Sequence, residues 1–137
     1  MDITNCMATH AQATFEVKTW DENTYNEVDA RLKLTRSSVV FAYRGDLEGE
    51  SLMEYLMMYR DDGSATAVGL ERITGRLGGK AGTFVIESHG GYADGTATGE
   101  INVVRGSGTG ELEGLRGSGT AVAKKDGSTA FSLDYEL

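Results

Sequence analysis

Glycine limits this chain more than any other residue: nineteen of its 137 positions are glycine and none is proline. Glycine serves left-handed turns, bulges and places where two backbones approach closely, whereas proline removes a donor from a sheet ladder. Glycine at about twice its average usage, without proline, does not suit collagen or a disordered linker. It suits a sheet with many tight turns. A length of 137 residues fits one domain able to bury a core without disulfide staples.

Hydrophobic alternation supports the sheet. Ala13, Phe15 and Val17 share one face and Thr14 and Glu16 the other, the period of a half-buried strand. Strands are expected over residues 11–18, 31–43, 52–60, 65–77, 83–88, 95–104, 110–114, 119–125 and 130–137. The last is the most regular, with Phe131, Leu133, Tyr135 and Leu137 opposite Ser132, Asp134 and Glu136. Residues 20–30, WDENTYNEVDA, read as a polar turn region with at most one helical turn, and RGDLEGE at 44–50 as a break. Residues 1–10 read as a flexible arm, leaving 11–137 as the single domain. A series of about eight or nine strands with short connections predicts a sandwich or a barrel. Closure would remove the sheet edges, and an eight-stranded barrel either packs its interior or holds one small ligand.

Charge and composition exclude several functions. Net charge is −8, and the lysines and arginines are scattered, which argues against nucleic acid. No apolar run is long enough to span a bilayer. The amino terminus has neither the basic nor the apolar region of a signal peptide. Cys6 is the only cysteine, so no disulfide framework or cysteine metal site is expected. These readings place the chain in the cytoplasm, away from membranes and nucleic acid. His10 and His89 are too far apart for metal-site spacing, no GxSxG elbow is present, and no cofactor is expected.

Residues 106–121, GSGTGELEGLRGSGTA, have the glycine density of a phosphate loop but not its order. A dinucleotide fingerprint needs glycine at i, i+2 and i+5. Gly106 and Gly108 are followed by Glu111, Gly108 and Gly110 by Glu113, and Gly117 and Gly119 by Val122. The one Gly-Lys pair, Gly79-Lys80, precedes Ala81, where a phosphate loop needs serine or threonine. The stretch therefore reads as two glycine-bent strands meeting around Leu112 and Leu115.

The same stretch is similar to the GTG-x-[FL]-x-G-x-x-G segment of the allene oxide cyclase and dirigent barrels. The chain also resembles a bacterial family of unknown function with that barrel. This likeness is carried by TFEVKTWDE at 14–22, KLTR at 33–36, GDLEG at 45–49, EYLMMYRDDGSA at 54–65 and VGLERITG at 68–75. The resemblance implies an all-β, antiparallel, eight-stranded calycin-like barrel that forms a homodimer. The plant barrels bind small hydrophobic or phenolic molecules and steer reactive intermediates by confinement, without a cofactor.

The hairpin around Asp61-Asp62-Gly63 holds the candidate site. A type I turn with Gly63 as a bulge pairs Arg60 with Ser64 and sets Tyr55 opposite Gly69 and Met53 opposite Glu71. One face then carries Met53, Tyr55, Met57, Tyr59 and Glu71. The other carries Glu54, Leu56, Met58, Val68, Leu70 and Arg72. A two-residue turn would instead oppose Glu54 and Glu71, and a one-residue slip inverts the faces. The bulged register is preferred because a tyrosine packs over a glycine while opposed glutamates repel. Should this face line a cavity, Glu71 is desolvated and its pKa raised, unless it pairs with Arg72 or Arg44. Glu71 and Tyr55 are the catalytic candidates; Tyr55, Met57, Tyr59, Glu71, Glu54 and Arg72 are the candidate ligand contacts. His89 is expected outside the core, and Trp20, with Asp21 and Glu22, is expected to anchor one barrel end. Two functions follow: binding of a small hydrophobic or aromatic molecule, and cofactor-free isomerisation or cyclisation by a cavity carboxylate with tyrosines.

Overall fold

The computed structural model describes residues 8–29 and 31–137. Cys6 and most of the expected arm lie outside the described residues, although Thr9 and His10 already pair with Tyr135 and Asp134. Eight antiparallel strands make up a single sheet: β1 (Thr9–Asp29), β2 (Leu32–Gly45), β3 (Leu47–Tyr59), β4 (Ala65–Leu77), β5 (Lys80–Ala93), β6 (Thr96–Val103), β7 (Arg116–Ala123) and β8 (Thr129–Glu136). Each strand pairs with the next, and β8 pairs back onto β1, so the ring of hydrogen bonds closes. A single 3₁₀ turn, Gly110–Leu112, is the helical element described.

Three elements differ from the sequence reading. Residues 20–29 continue β1 as strand, because Trp20 to Asp29 pair along β2 from Val39 back to Leu32. That pairing makes no demand for an apolar face, so a polar segment sustains it. The break at 44–50 shrinks to Asp46, whose carboxylate accepts from the Gln12 amide at 2.9 Å. Finally, residues 110–114 are not strand. Gly106, Gly110 and Gly114 hold φ of +81°, +63° and +85°, left-handed values that interrupt a ladder. The loop instead runs beside β5, with Val104 and Thr109 amides donating to Val85 and Thr83 carbonyls at 2.8 Å.

That loop seals one end of the ring. Leu112 and Leu115 are fully buried with Leu47, Leu77 and Leu133, where β3 begins and β4 ends. Gly82 lets the loop come close: a Cβ there would lie 2.0 Å from the Thr109 carbonyl oxygen. Above this plug the inward residues Phe41, Tyr43, Phe84, Ile86, Ile101 and Phe131 complete the core. A bulge at Lys18 shifts the β1 register, so that Val17 opposes Phe41 but Trp20 opposes Val39. Side chains alternate across a strand, and the extra residue therefore brings Trp20 and Glu22 to the inner face.

Candidate functional site

The end opposite the leucine plug holds a cavity of about 390 Å³, within the range of small-molecule sites. Its walls are unequal. Strands β1, β2 and β3 contribute Phe15, Trp20, Phe41, Tyr55 and Met57, while β4 to β7 contribute Ala67, Gly90, Gly99, Ala121 and Ala123 and, at the exposed mouth, the ring of Tyr92. Large side chains on one arc face small ones on the other, and this asymmetry is why the interior stays open here. Some of the small residues are obligatory. A Cβ at Gly90 would run into the Thr98 carbonyl oxygen of the neighbouring strand, and one at Gly69 would stand 2.4 Å from the Glu54 carbonyl oxygen and 3.0 Å from the Tyr55 ring.

The hairpin adopts the bulged register. The Arg60 amide donates to the Ser64 carbonyl at 2.8 Å, Gly63 has φ of +86°, Tyr55 opposes Gly69 and Met53 opposes Glu71. Met53, Tyr55, Met57, Tyr59 and Glu71 thus share the inner face. Glu54 and Arg72, grouped with them as ligand contacts in the sequence reading, are one residue out of step and face outward. Both are exposed, and Glu54 accepts from the Ser38 hydroxyl at 2.5 Å.

Glu71 is 2% exposed and lies deeper than the cavity lining. Neither Arg72 nor Arg44 reaches it. Its Oε2 accepts from the Tyr43 hydroxyl at 2.5 Å and from the Ser51 hydroxyl. Burial pushes its pKa up, and the two hydrogen bonds pull it back only in part. A second inward carboxylate, Glu22, sits at the rim. It accepts from Thr35 at 2.6 Å, Tyr59 at 2.7 Å and the Trp20 indole at 2.9 Å. Burial raises its pKa, but those three donors and the nearby Lys33 outweigh it and hold the group below its ordinary value. Tyr59 is thereby committed to the rim, and Trp20 tilts over Tyr55 with ring centroids 6.1 Å apart.

Tyr55 differs from the other inner tyrosines. Its hydroxyl makes no hydrogen bond to a described residue. Every deeply buried side-chain nitrogen or oxygen among those residues has a partner, so this oxygen opens onto free space. Burial and the Glu71 charge keep its proton firmly bound, which makes it a donor. His89 is exposed on the outer face, opposite Glu100. His10 lies in β1 rather than in an arm, bonded to Asp134 at 2.7 Å. Among the described residues no group of three histidine, cysteine or acidic side chains is placed to hold a metal.

Sequence reasoning missed Tyr43, Ser51 and the Glu22 cluster. The parity of β2 and β3 carried a signal: Tyr43 and Ser51 share odd numbering with Phe41 and Met53. What it lacked was the β2–β3 register, in which Phe41 opposes Ser51 and Tyr43 opposes Gly49.

Fold and site together define an all-β protein whose eight antiparallel strands surround an apolar cavity closed at one end. Residues 11–135 match the family described as protein of unknown function (DUF3224), and the chain belongs to that family. It is similar to the crystal structure of a protein of unknown function from the DUF3224 family of Shewanella oneidensis MR-1. The two share 26% identity with a TM-score of 0.75, over 93% of this chain and 96% of that one. Comparison with curated proteins finds no match. No described helix is long and apolar enough to cross a membrane.

Proposed function

We propose that this protein is a calycin-like barrel, similar in plan to the allene oxide cyclases, that binds a small hydrophobic or aromatic molecule in its open end. The observation that carries this reading is the unequal wall: aromatics and a methionine facing glycines and alanines around about 390 Å³. A purely structural barrel would fill that space, because interiors otherwise pack to crystal-like density. Transfer of an apolar molecule into it is worth roughly 25 cal/mol for each Å² removed from water. Cofactor-free isomerisation has a weaker basis. Glu71 has a raised pKa suited to proton transfer, but it lies behind the lining and is engaged by Tyr43 and Ser51.

Native mass spectrometry of protein from its own source, followed by extraction of anything retained, tests the proposal. One small apolar molecule per chain is the expected result. Retention that persists after Ala121→Phe fills the cavity would count against the site. The homodimer implied by the resemblance, and a cytoplasmic location, belong to the same proposal. Exposed Leu52, Leu56, Val68 and Leu70 on the outer face of β3 and β4 support the dimer; sedimentation equilibrium measures it.

A further inference from the structure

The polar groups around the cavity narrow the chemistry of its occupant, given the binding reading above. Most inward donors are already engaged by the protein. Tyr43 and Ser51 donate to Glu71; Thr35, Tyr59 and the Trp20 indole donate to Glu22; Thr129 donates to the Phe15 carbonyl. Three inward hydroxyls on the lining have no partner among the described residues: those of Tyr55 and Ser88 within the cavity and that of Tyr92, 45% exposed, at its mouth. Tyr55 projects from β3 and Ser88 from β5, on either side of Gly69 in β4.

We infer that the ligand is a neutral aromatic compound carrying a hydrogen-bond acceptor, a carbonyl or an ether, which Tyr55 reads by donating its hydroxyl proton. An apolar molecule with no acceptor would leave this donor dry and unpaired, at the cost of a lost hydrogen bond. An anion is disfavoured. Glu71 stands behind the lining and Glu22 at the rim, neither in an ion pair with a described residue. The charged lining residues, Glu16 and Lys124, belong to the mouth and offset each other in sign. A cation would find no free carboxylate inside, since Glu71 lies behind the lining and is held by Tyr43 and Ser51, and Glu22 is held by three donors, so its lost water would go uncompensated. The rings of Phe15, Phe41 and Tyr55 supply the apolar grip, and the hydroxyl supplies the orientation.

Four naphthalene probes of similar size test this by titration calorimetry: acetonaphthone, naphthalene, naphthoate and naphthylmethylammonium. Acetonaphthone should bind about tenfold more tightly than naphthalene, the size of one net hydrogen bond, and naphthoate should bind worst. Tyr55→Phe should erase the acetonaphthone advantage while leaving naphthalene affinity unchanged. Tightest binding of naphthoate or of the ammonium probe overturns the inference, as does a carbonyl advantage that survives Tyr55→Phe. Should Tyr55→Phe be poorly folded, the ranking in the native protein still decides. Binding of none of the four, at concentrations well above those of typical apolar ligands, defeats the cavity reading itself; equal binding of all four defeats only the chemistry assigned to Tyr55.

Discussion

The two ends of the closed sheet solve the same geometric problem in opposite ways. At one end a glycine-rich loop turns inward and fills the ring with leucines, Leu112 and Leu115 meeting Leu47 and Leu77. At the other the chain withholds bulk: Ala67, Gly90, Gly99, Ala121 and Ala123 face a wall of aromatics across open space. The carboxylates follow the same division. Glu71, nearer the packed end, is desolvated and has its pKa raised; Glu22, at the open end, has its pKa lowered by hydrogen bonds. Stability is thus concentrated at the plug, and adaptability is left to the mouth.

Substitutions that add or remove volume break the contrast most directly. Gly69→Val should cost about 4 kcal/mol, because its Cβ would meet the Glu54 carbonyl oxygen at 2.4 Å within a paired ladder that cannot yield. A urea midpoint equal to that of the native protein would refute the close packing of Tyr55 on Gly69. Leu112→Ala should cost about 3 kcal/mol, the transfer and cavity terms of a buried leucine; a loss under about 1 kcal/mol would show that the plug is not fully packed. Ala67→Phe, at the open end, should leave the thermal midpoint nearly unchanged and weaken acetonaphthone binding tenfold or more, about 1.4 kcal/mol. Equal damage to stability would make the two ends alike.

The smallest effect is in the pH profile, and its sign differs between the ends. Glu71 has its folded pKa raised, so the stability it contributes is complete below the unfolded value and is lost as pH rises through the folded one. Glu22 has its folded pKa lowered, so its contribution is present above the unfolded value and is lost as pH falls through the folded one. Melting from about pH 3 to about pH 8 should show that Glu71→Gln removes a decline on the alkaline side and Glu22→Gln a decline on the acid side. Identical profiles for both variants would erase the distinction.

Most of the packed architecture was legible in the residues. Strand alternation set Phe131, Leu133 and Tyr135 on one face, and Asp61-Asp62-Gly63 marked a hairpin with two possible registers, of which the preferred one places Tyr55 over Gly69, as found. The turn alone admits both registers, and only the repulsion of opposed glutamates and the fit of a ring over a glycine tell them apart. Less local features were hidden. The tail of β1 is paired along one edge and needs no apolar period, so Trp20 to Asp29 resembled a turn. Glu71 meets Tyr43 across β3, a contact that depends on two successive registers and on the break at Asp46. The glycines of residues 106–114 lack the order of a phosphate loop, but whether they bend a strand or fold a loop depends on φ, which composition does not encode.

The bulge at Lys18 has a consequence beyond local shape. A strand is read in steps of two, and Lys18 shifts the reading frame of β1 by one. Upstream of it, odd positions such as Phe15 look inward; just downstream, even positions do, and Trp20 and Glu22 become part of the mouth. Were Lys18 paired with Val40 as an ordinary strand residue, the original frame would persist, turning the indole and its carboxylate toward solvent and presenting Thr19 and Asp21 in their place; deleting the lysine would instead remove the bulge and leave Trp20 opposite Val39. The identity of the entrance thus depends less on the residues that form it than on whether the lysine before them is paired or bulged.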